Sequence, residues 1–342
     1  MRAYKFGVIG LGAIGRRHLE NLRQCGFEVV GAVRGQGPDV PIFDDMDALI
    51  SQKKPAALVV ASPNALHHEH VLCGLNAGCH ILCEKPLGID RTEVIEMAEA
   101  ARNSGRALMG GFNLRFLPHT HRAIELVQEG AIGNILRVSG IWKQHRGIPG
   151  PGKWHTTKKM AGGGVLLDYG VHVLDIAWVI MGRPRPVSVS ATLINLFTGR
   201  LHEYKAENIW NGPMNPSGIM DVEDGCKAIF RFENNAVLEL DVAWASNEAK
   251  RGLEIILKGE RGEMCWHKNG MLMLREDRNE PIPVKINTVY ANMYQQFVGT
   301  VQGAPNPCSP DEMIIVAAML DAAYASANTG SDEPVLIPEN LK

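Results

Sequence analysis

Several things are scarce in this 342-residue chain. Cysteine is limited to seven residues, an odd number that does not suit a complete disulfide framework, and Cys73, Cys79 and Cys83 lack zinc-ligand spacing. They fall in a predicted helix and strand and read as reduced packing residues, so no metal is expected. A formal net charge of −2 argues against nucleic acid as the main partner. No uninterrupted apolar run approaches the ~20 residues that a membrane helix needs, and no membrane partner is expected. The first strand pattern starts at Tyr4, which leaves no room for a secretory signal, so a cytoplasmic location is expected. Internal repeats and low-complexity segments are absent as well.

What the chain does have is an apolar fraction of 45%, that of a globular protein, over a length too great for one small core. From Tyr4 to about Pro118, short apolar runs (FGVIG, EVVGAV, ALVVAS, CHILC, ALMGG) alternate with helical patterns over 14–25, 45–51, 66–77 and 91–104. That alternation predicts a doubly wound parallel sheet of the Rossmann type. Beyond Pro118 the texture changes to one helix (123–129) and long alternating strands such as CKAIFRF, AVLELDVAW, LEIILKG and GMLMLRE. Hairpin turns fit at 233–235 and 268–270, and an alanine-rich helix over 311–327 closes the pattern. The expected class is therefore α/β: a dinucleotide-binding domain over 1–118 and an α+β domain with a mainly antiparallel sheet over 119–342.

The loop GLGAIG at 10–15 lies between a strand and a helix, the setting in which GxGxxG carries weight. Gly10, Gly12 and Gly15, with Ala13 and Ile14 between them, fit a turn that brings backbone and helix N-terminus up to a pyrophosphate. Arg16 and Arg17 come too late in the loop for a phosphate role. NAD enzymes usually place an acid at the end of the second strand; here Arg34 stands there, which favours NADP(H) over NAD(H), with Asp39 the residue that would reverse the argument. Ser62, Pro63, Asn64 and His67 follow the third long strand and read as cofactor neighbours, with Asn64 equally suited to cap a helix. The spacing of His67, His68 and His70 is not that of a zinc protease.

Two segments carry the chemistry. Lys85 follows the strand His80–Leu82, at the same sheet edge as the glycine loop, and so reaches the nicotinamide end of a dinucleotide. Farther on, AGGGVLLDYGVHVLDIAWVIMG (161–182) predicts a buried helix with Asp168, His172 and Asp175 on one stripe. Ionisable groups are costly to bury unpaired, so these face a cavity or each other. A histidine oriented by a carboxylate suits proton removal from an alcohol near neutral pH.

The segments GLGAIGRRH (10–18), ASPNALHHEH (61–70), CEKPLG (83–88), GFNLRFLP (111–118) and GGGVLLDYGVHVLD (162–175) together resemble the glucose-fructose oxidoreductase, inositol dehydrogenase and rhizopine catabolism family. The resemblance implies a Rossmann domain joined to an open-faced antiparallel sheet, and homodimers or homotetramers formed through that sheet. It also implies a dehydrogenase that transfers a hydride between the nicotinamide and a ring hydroxyl or ketone of a sugar, cyclitol or sugar derivative. Carried onto these motifs, Lys85, Asp168 and His172 are catalytic and meet the substrate, as does Arg115, while Glu84 and Lys85 border the cofactor; Trp154, outside these segments, is read as an aromatic face for the substrate ring.

Between Glu129 and Asp168 there is no acidic residue, whereas Arg137, Lys143, Arg146, Lys153, Lys158 and Lys159 all occur, interleaved with Trp142 and Trp154. An anionic sugar derivative fits that charge, but neutral pyranoses and inositols are the favoured substrates. The segment 203–220, with Trp210 and Asn211, is too long for a plain hairpin and suits a cover for the site or a subunit contact. Two other readings keep the fold: a glycoside hydrolase working by transient oxidation, and a sugar-sensing regulator without turnover.

Overall fold

The computed structural model describes residues 4–35, 40–206, 212–248, 252–267, 270–275, 278–282 and 289–341. Asp39, Trp210 and Asn211 lie outside the described residues. The chain divides into two units, Met1–Asn113 with Thr288–Ala317, and Leu114–Asn287 with Ala318–Lys342. The sequence reading puts one boundary at residue 118; the chain returns to the first unit because Tyr294 and Phe297 are buried there, the Phe297 ring 6.1 Å from that of Phe6.

The first unit is built on β1 (Lys5–Ile9), β2 (Glu28–Val33), β3 (Ile42–Phe43), β4 (Ala57–Val60), β5 (His80–Cys83) and β6 (Leu108–Gly110). All pairings are parallel, in the order β3-β2-β1-β4-β5-β6. The strands read as continuous apolar runs because both faces are covered; Val8, Leu58, Val59, Ile81 and Leu82 are all buried. The crossovers are α1 (Ala13–Gln24), α2 (Met46–Lys53), α3 (His67–Asn76) and α4 (Arg91–Ser104). Asp45 and Asp90 cap α2 and α4 by accepting from Ala48 N and Glu93 N at 2.8 and 3.0 Å. The order reverses between β1 and β4, and a doubly wound sheet binds its ligand outside the strand ends at such a switch point.

The second unit begins with α5 (Pro118–Gln128), β7 (Ile135–Lys143), α6 (Lys158–Ala161) and α7 (Val171–Ile180). It continues through β8 (Pro186–Ile194), β9 (Gly225–Phe232), β10 (Val237–Ala243), β11 (Gly252–Gly259), β12 (Gly262–His267), β13 (Gly270–Arg275) and β14 (Arg278–Ile282). Helix α8 (Val289–Val301) belongs to the first unit; α9 (Pro310–Thr329) starts in the first and ends in the second, followed by β15 (Glu333–Pro334). The sheet runs β14-β13-β12-β11-β7-β10-β9-β8-β15, antiparallel except where β7 pairs with β10. Alternation divides its faces: Ala228, Phe230, Leu238, Leu240, Ile255 and Leu257 are buried, while Lys227, Ile229 and Arg231 point the other way and are exposed. Helix α7 lies so close on β7 that a Cβ at Gly140 would stand 2.4 Å from Val173 Cγ1. The β9–β10 hairpin turns through Asn235, whose φ of +63° suits asparagine. The stretch Lys158–Ile180 is long and apolar enough to cross a bilayer by composition, but 83% of its most apolar 18-residue window is buried within the protein.

Candidate active site

In the first unit the glycine loop follows β1 and opens α1. Gly10 takes φ +89°, and a Cβ there would sit 2.8 Å from Ala61 O. A Cβ at Gly15 would sit 1.8 Å from Gly10 O, so the helix can start this close to the turn only with glycine. Gly12 differs: a Cβ there would meet nothing within 4 Å. It precedes α1 with no side-chain cap, and the first turn holds no acidic residue, so the helix amides and dipole present themselves to an anion. Three glycines thus have three separable reasons, and they fit a dinucleotide pyrophosphate.

Arg34 follows β2 in the left-handed region (φ +53°), and the next residue, Gly35, packs on Leu11 of the glycine loop. His70 lies within electrostatic range of Arg34, and its Nδ1 is 2.9 Å from Ser62 Oγ; burial lowers its pKa. Asn64 opens a 3-10 turn (Asn64–Leu66) ahead of α3, and Leu66, which directly precedes that helix, makes no side-chain cap. His67 is buried, with Nδ1 2.8 Å from Pro86 O and Nε2 2.9 Å from Ser62 O. Both neighbours are acceptors, and burial holds the pKa below its ordinary value, so the neutral ring donates to only one of them. It ties the loop after β4 to the loop after β5.

Lys85 and Glu84 sit at the C-terminal end of β5, the edge that also carries the glycine loop. Glu84 is held from two sides. Its Oε1 is 2.8 Å from His18 Nε2, and Oε2 accepts from Lys85 N at 3.2 Å. His18 Nδ1 in turn lies 2.8 Å from the Tyr294 hydroxyl of α8. A carboxylate only accepts, so the satisfied neutral arrangement has Tyr294 donating to Nδ1 and Nε2–H donating to Glu84. The sequence reading missed this chain of contacts. One signal was present: His18 shares the buried face of α1 with Gly15, Leu19 and Leu22, where a polar side chain needs a partner.

In the second unit, Asp168 lies in a π-helical turn (Leu166–Gly170), closed by Val171 N donating to Leu166 O, and His172 lies in the first turn of α7. That turn locally widens the helical register around Asp168. Asp168 Oδ2 accepts from Trp244 Nε1 at 2.8 Å, whereas Asp175 is buried against Arg115. His172 is 9% exposed; its ring lies 5.8 Å from that of Trp142, which stacks on Tyr169 at 4.1 Å. π-Turns recur at functional sites because the extra residue re-aims side chains. Trp244, just past β10, carries no motif that sequence reasoning could have used.

The basic stretch is partly neutralised. Lys143 is buried between Asp241 and Glu248, both at 2.6 Å; burial pulls its pKa down but the two carboxylates outweigh it, and the net shift is upward. Arg137 pairs with Glu239, and Arg146 lies over the Phe197 ring at 5.3 Å while bonding Asn247. Trp154 stacks on His155 at 3.6 Å. Among the described residues no group of three His, Cys, Asp or Glu side chains is placed to hold a metal ion.

The pattern described as "Oxidoreductase family, NAD-binding Rossmann fold" matches residues 4–112, and "GFO/IDH/MocA C-terminal domain" matches residues 120–265. The chain belongs to the Gfo/Idh/MocA oxidoreductase family. Among its relatives, D-glucoside 3-dehydrogenase of Escherichia coli (strain K12) is 30% identical over 299 residues, which are 85% of this chain and 82% of that protein. Myo-inositol 2-dehydrogenase of Thermotoga maritima is 30% identical over 191 residues, about half of each chain at 52% and 55%. A levoglucosan dehydrogenase solved in complex with NADH superimposes with a TM-score of 0.82 over 98% of this chain and all of that one; at 23% identity the likeness carries the fold. The Gfo/Idh/MocA relatives are thus sugar and cyclitol dehydrogenases, and the first unit is of the NAD-binding Rossmann type.

Proposed function

We propose that the protein is an NAD(P)-dependent dehydrogenase acting on a ring hydroxyl, or the corresponding ketone, of a neutral sugar or cyclitol. The observation that carries this reading is the edge of the first sheet, where the open approach at Gly12 and the strand-end Lys85 belong to one parallel sheet. The cofactor held there by Gly10, Gly12, Ala13, Ile14 and Gly15 supplies, when bound, a hydride acceptor or donor. His172 takes the proton of the reacting hydroxyl in oxidation and returns it in reduction. Lys85 stabilises the developing alkoxide by charge and a hydrogen bond. Asp168, held by Trp244, orients and tunes that pair. Trp154 supplies an apolar face for the ring.

Arg34, standing where an acid would meet a ribose hydroxyl, favours NADP(H) over NAD(H), with its guanidinium pairing the 2′-phosphate. The neutral substrate class is supported by Lys143 and Arg137, whose charges are met within the protein. The outward face of the second sheet, with Ile229 between Lys227 and Arg231, is the surface through which copies of the chain would associate. The test is near-ultraviolet absorbance of reduced nicotinamide with purified protein, NAD⁺ and NADP⁺ in parallel, over pyranoses, inositols, uronates and sugar phosphates. Absorbance growing with a neutral ring supports the proposal. Growth with sugar phosphates or uronates alone would overturn the substrate class, and no growth despite dinucleotide binding would overturn the dehydrogenase.

A further inference from the structure

The helix that carries Asp168 and His172 starts from Gly162–Gly163–Gly164, and its first amides do not face water. Gly164 N lies 3.0 Å from each carboxylate oxygen of Glu223, and Leu166 N donates to Glu223 Oε1 at 3.1 Å. The Tyr324 hydroxyl of α9 donates to the same oxygen at 2.8 Å, and Val165 N donates to the Glu223 main-chain carbonyl at 3.1 Å. Glu223 is buried; burial raises its pKa, and the converging donors oppose that shift. The glycines follow from the same contacts. A Cβ at Gly164 would stand 1.9 Å from Glu223 O, and one at Gly163 would stand 2.0 Å from the Tyr324 hydroxyl.

The next residue reaches the other side of the site. Asp224 O accepts from Trp244 N at 2.8 Å, and Trp244 is the residue whose indole holds Asp168. Adjacent residues therefore fix both members of the contact, the helix start on one side and Trp244 on the other. Helix N-terminal amides normally take a local cap. Here a carboxylate from a distant segment takes that place.

We propose that Glu223, braced by Tyr324, is a positioning residue that sets the π-turn of Asp168 and the start of the His172 helix against Trp244. This rests on the acid/base reading of Asp168 and His172. Gln in place of Glu223 keeps an acceptor at the Oε1 position but loses the second oxygen and the negative charge, and sets an NH2 group against Gly164 N, so the helix start shifts.

The test compares wild type with Glu223→Gln and Tyr324→Phe in the full-length protein. Hydrogen exchange of the 164–172 amides and the NMR titration of His172 need neither substrate nor turnover. Glu223→Gln is expected to speed exchange across that segment and to move the His172 titration, with dinucleotide affinity unchanged; Tyr324→Phe does the same to a smaller degree. On a substrate that wild type turns over, kcat for Glu223→Gln is expected to fall about tenfold or more, the scale of a misplaced catalytic group. A variant that only lowers the unfolding midpoint, with exchange in 164–172 and the His172 titration unmoved, overturns the proposal. Absence of wild-type turnover overturns the functional reading and leaves the two spectroscopic outcomes to decide this one.

Discussion

Arg115 Nε lies 2.9 Å and 3.1 Å from the two carboxylate oxygens of Asp175, and both side chains are almost wholly buried. A buried bidentate pair is costly to break because the remaining buried charge loses its countercharge. Arg115→Ala is expected to destabilise the protein by about 3–5 kcal/mol. The double variant Arg115→Met, Asp175→Leu is expected to recover most of that loss. Denaturant unfolding of the three proteins checks it. A substrate role for Arg115 would instead appear as a raised KM with stability intact.

The glycine loop separates folding from binding. Gly12→Ala adds a methyl group that meets no protein atom, so the unfolding midpoint should stay within error of wild type while dinucleotide affinity falls. Gly15→Ala drives a Cβ into Gly10 O and should lower both. Thermal unfolding beside fluorescence titration with NADH or NADPH gives the comparison. Equal behaviour of the two variants would contradict the separate roles.

Cofactor choice turns on Arg34. A charge-assisted hydrogen bond contributes ~1.5–3 kcal/mol, so Arg34→Asp is expected to lower the ratio of NADPH to NADH affinity by about tenfold to a hundredfold. Dissociation constants for both dinucleotides, measured on both proteins, test this. An unchanged ratio removes Arg34 from the 2′-phosphate.

His119 titrates far from its usual range. Burial, with His267 nearby, lowers its pKa to about 4. Between the unfolded value of about 6.5 and about 4, the unfolded chain binds a proton that the native protein does not. Its contribution therefore makes stability fall as pH drops through that window, and the loss is complete below it. His119→Phe should flatten the pH dependence of the urea midpoint there. The same slope in the variant would mean that other buried histidines account for it.

Local features were legible in the sequence, and long-range ones were not. The glycine loop, the strand-end position of Lys85 and the hairpin at Asn235 each follow from a few neighbouring residues and known backbone preferences. The π-turn at 166–170 escaped because helical periodicity assumes a constant register, which a wider turn breaks. His18 with Glu84, Asp168 with Trp244 and Glu223 with Gly164 pair residues 66, 76 and 59 positions apart. Local pattern shows at most that a buried polar residue such as His18 needs a partner, not which residue supplies it. The return of α8 to the first unit escaped for the same reason, since an amphipathic helix shows that it packs but not on what.

The most direct test of the account compares wild type, Lys85→Ala and His172→Ala on one neutral sugar or cyclitol, with turnover and dinucleotide affinity measured on each protein. The account predicts a fall in kcat of about a hundredfold or more for each variant, the usual scale for acid/base groups, with dinucleotide affinity nearly unchanged. Turnover near the wild-type rate in either variant, or loss of turnover only in step with lost dinucleotide binding, would contradict it.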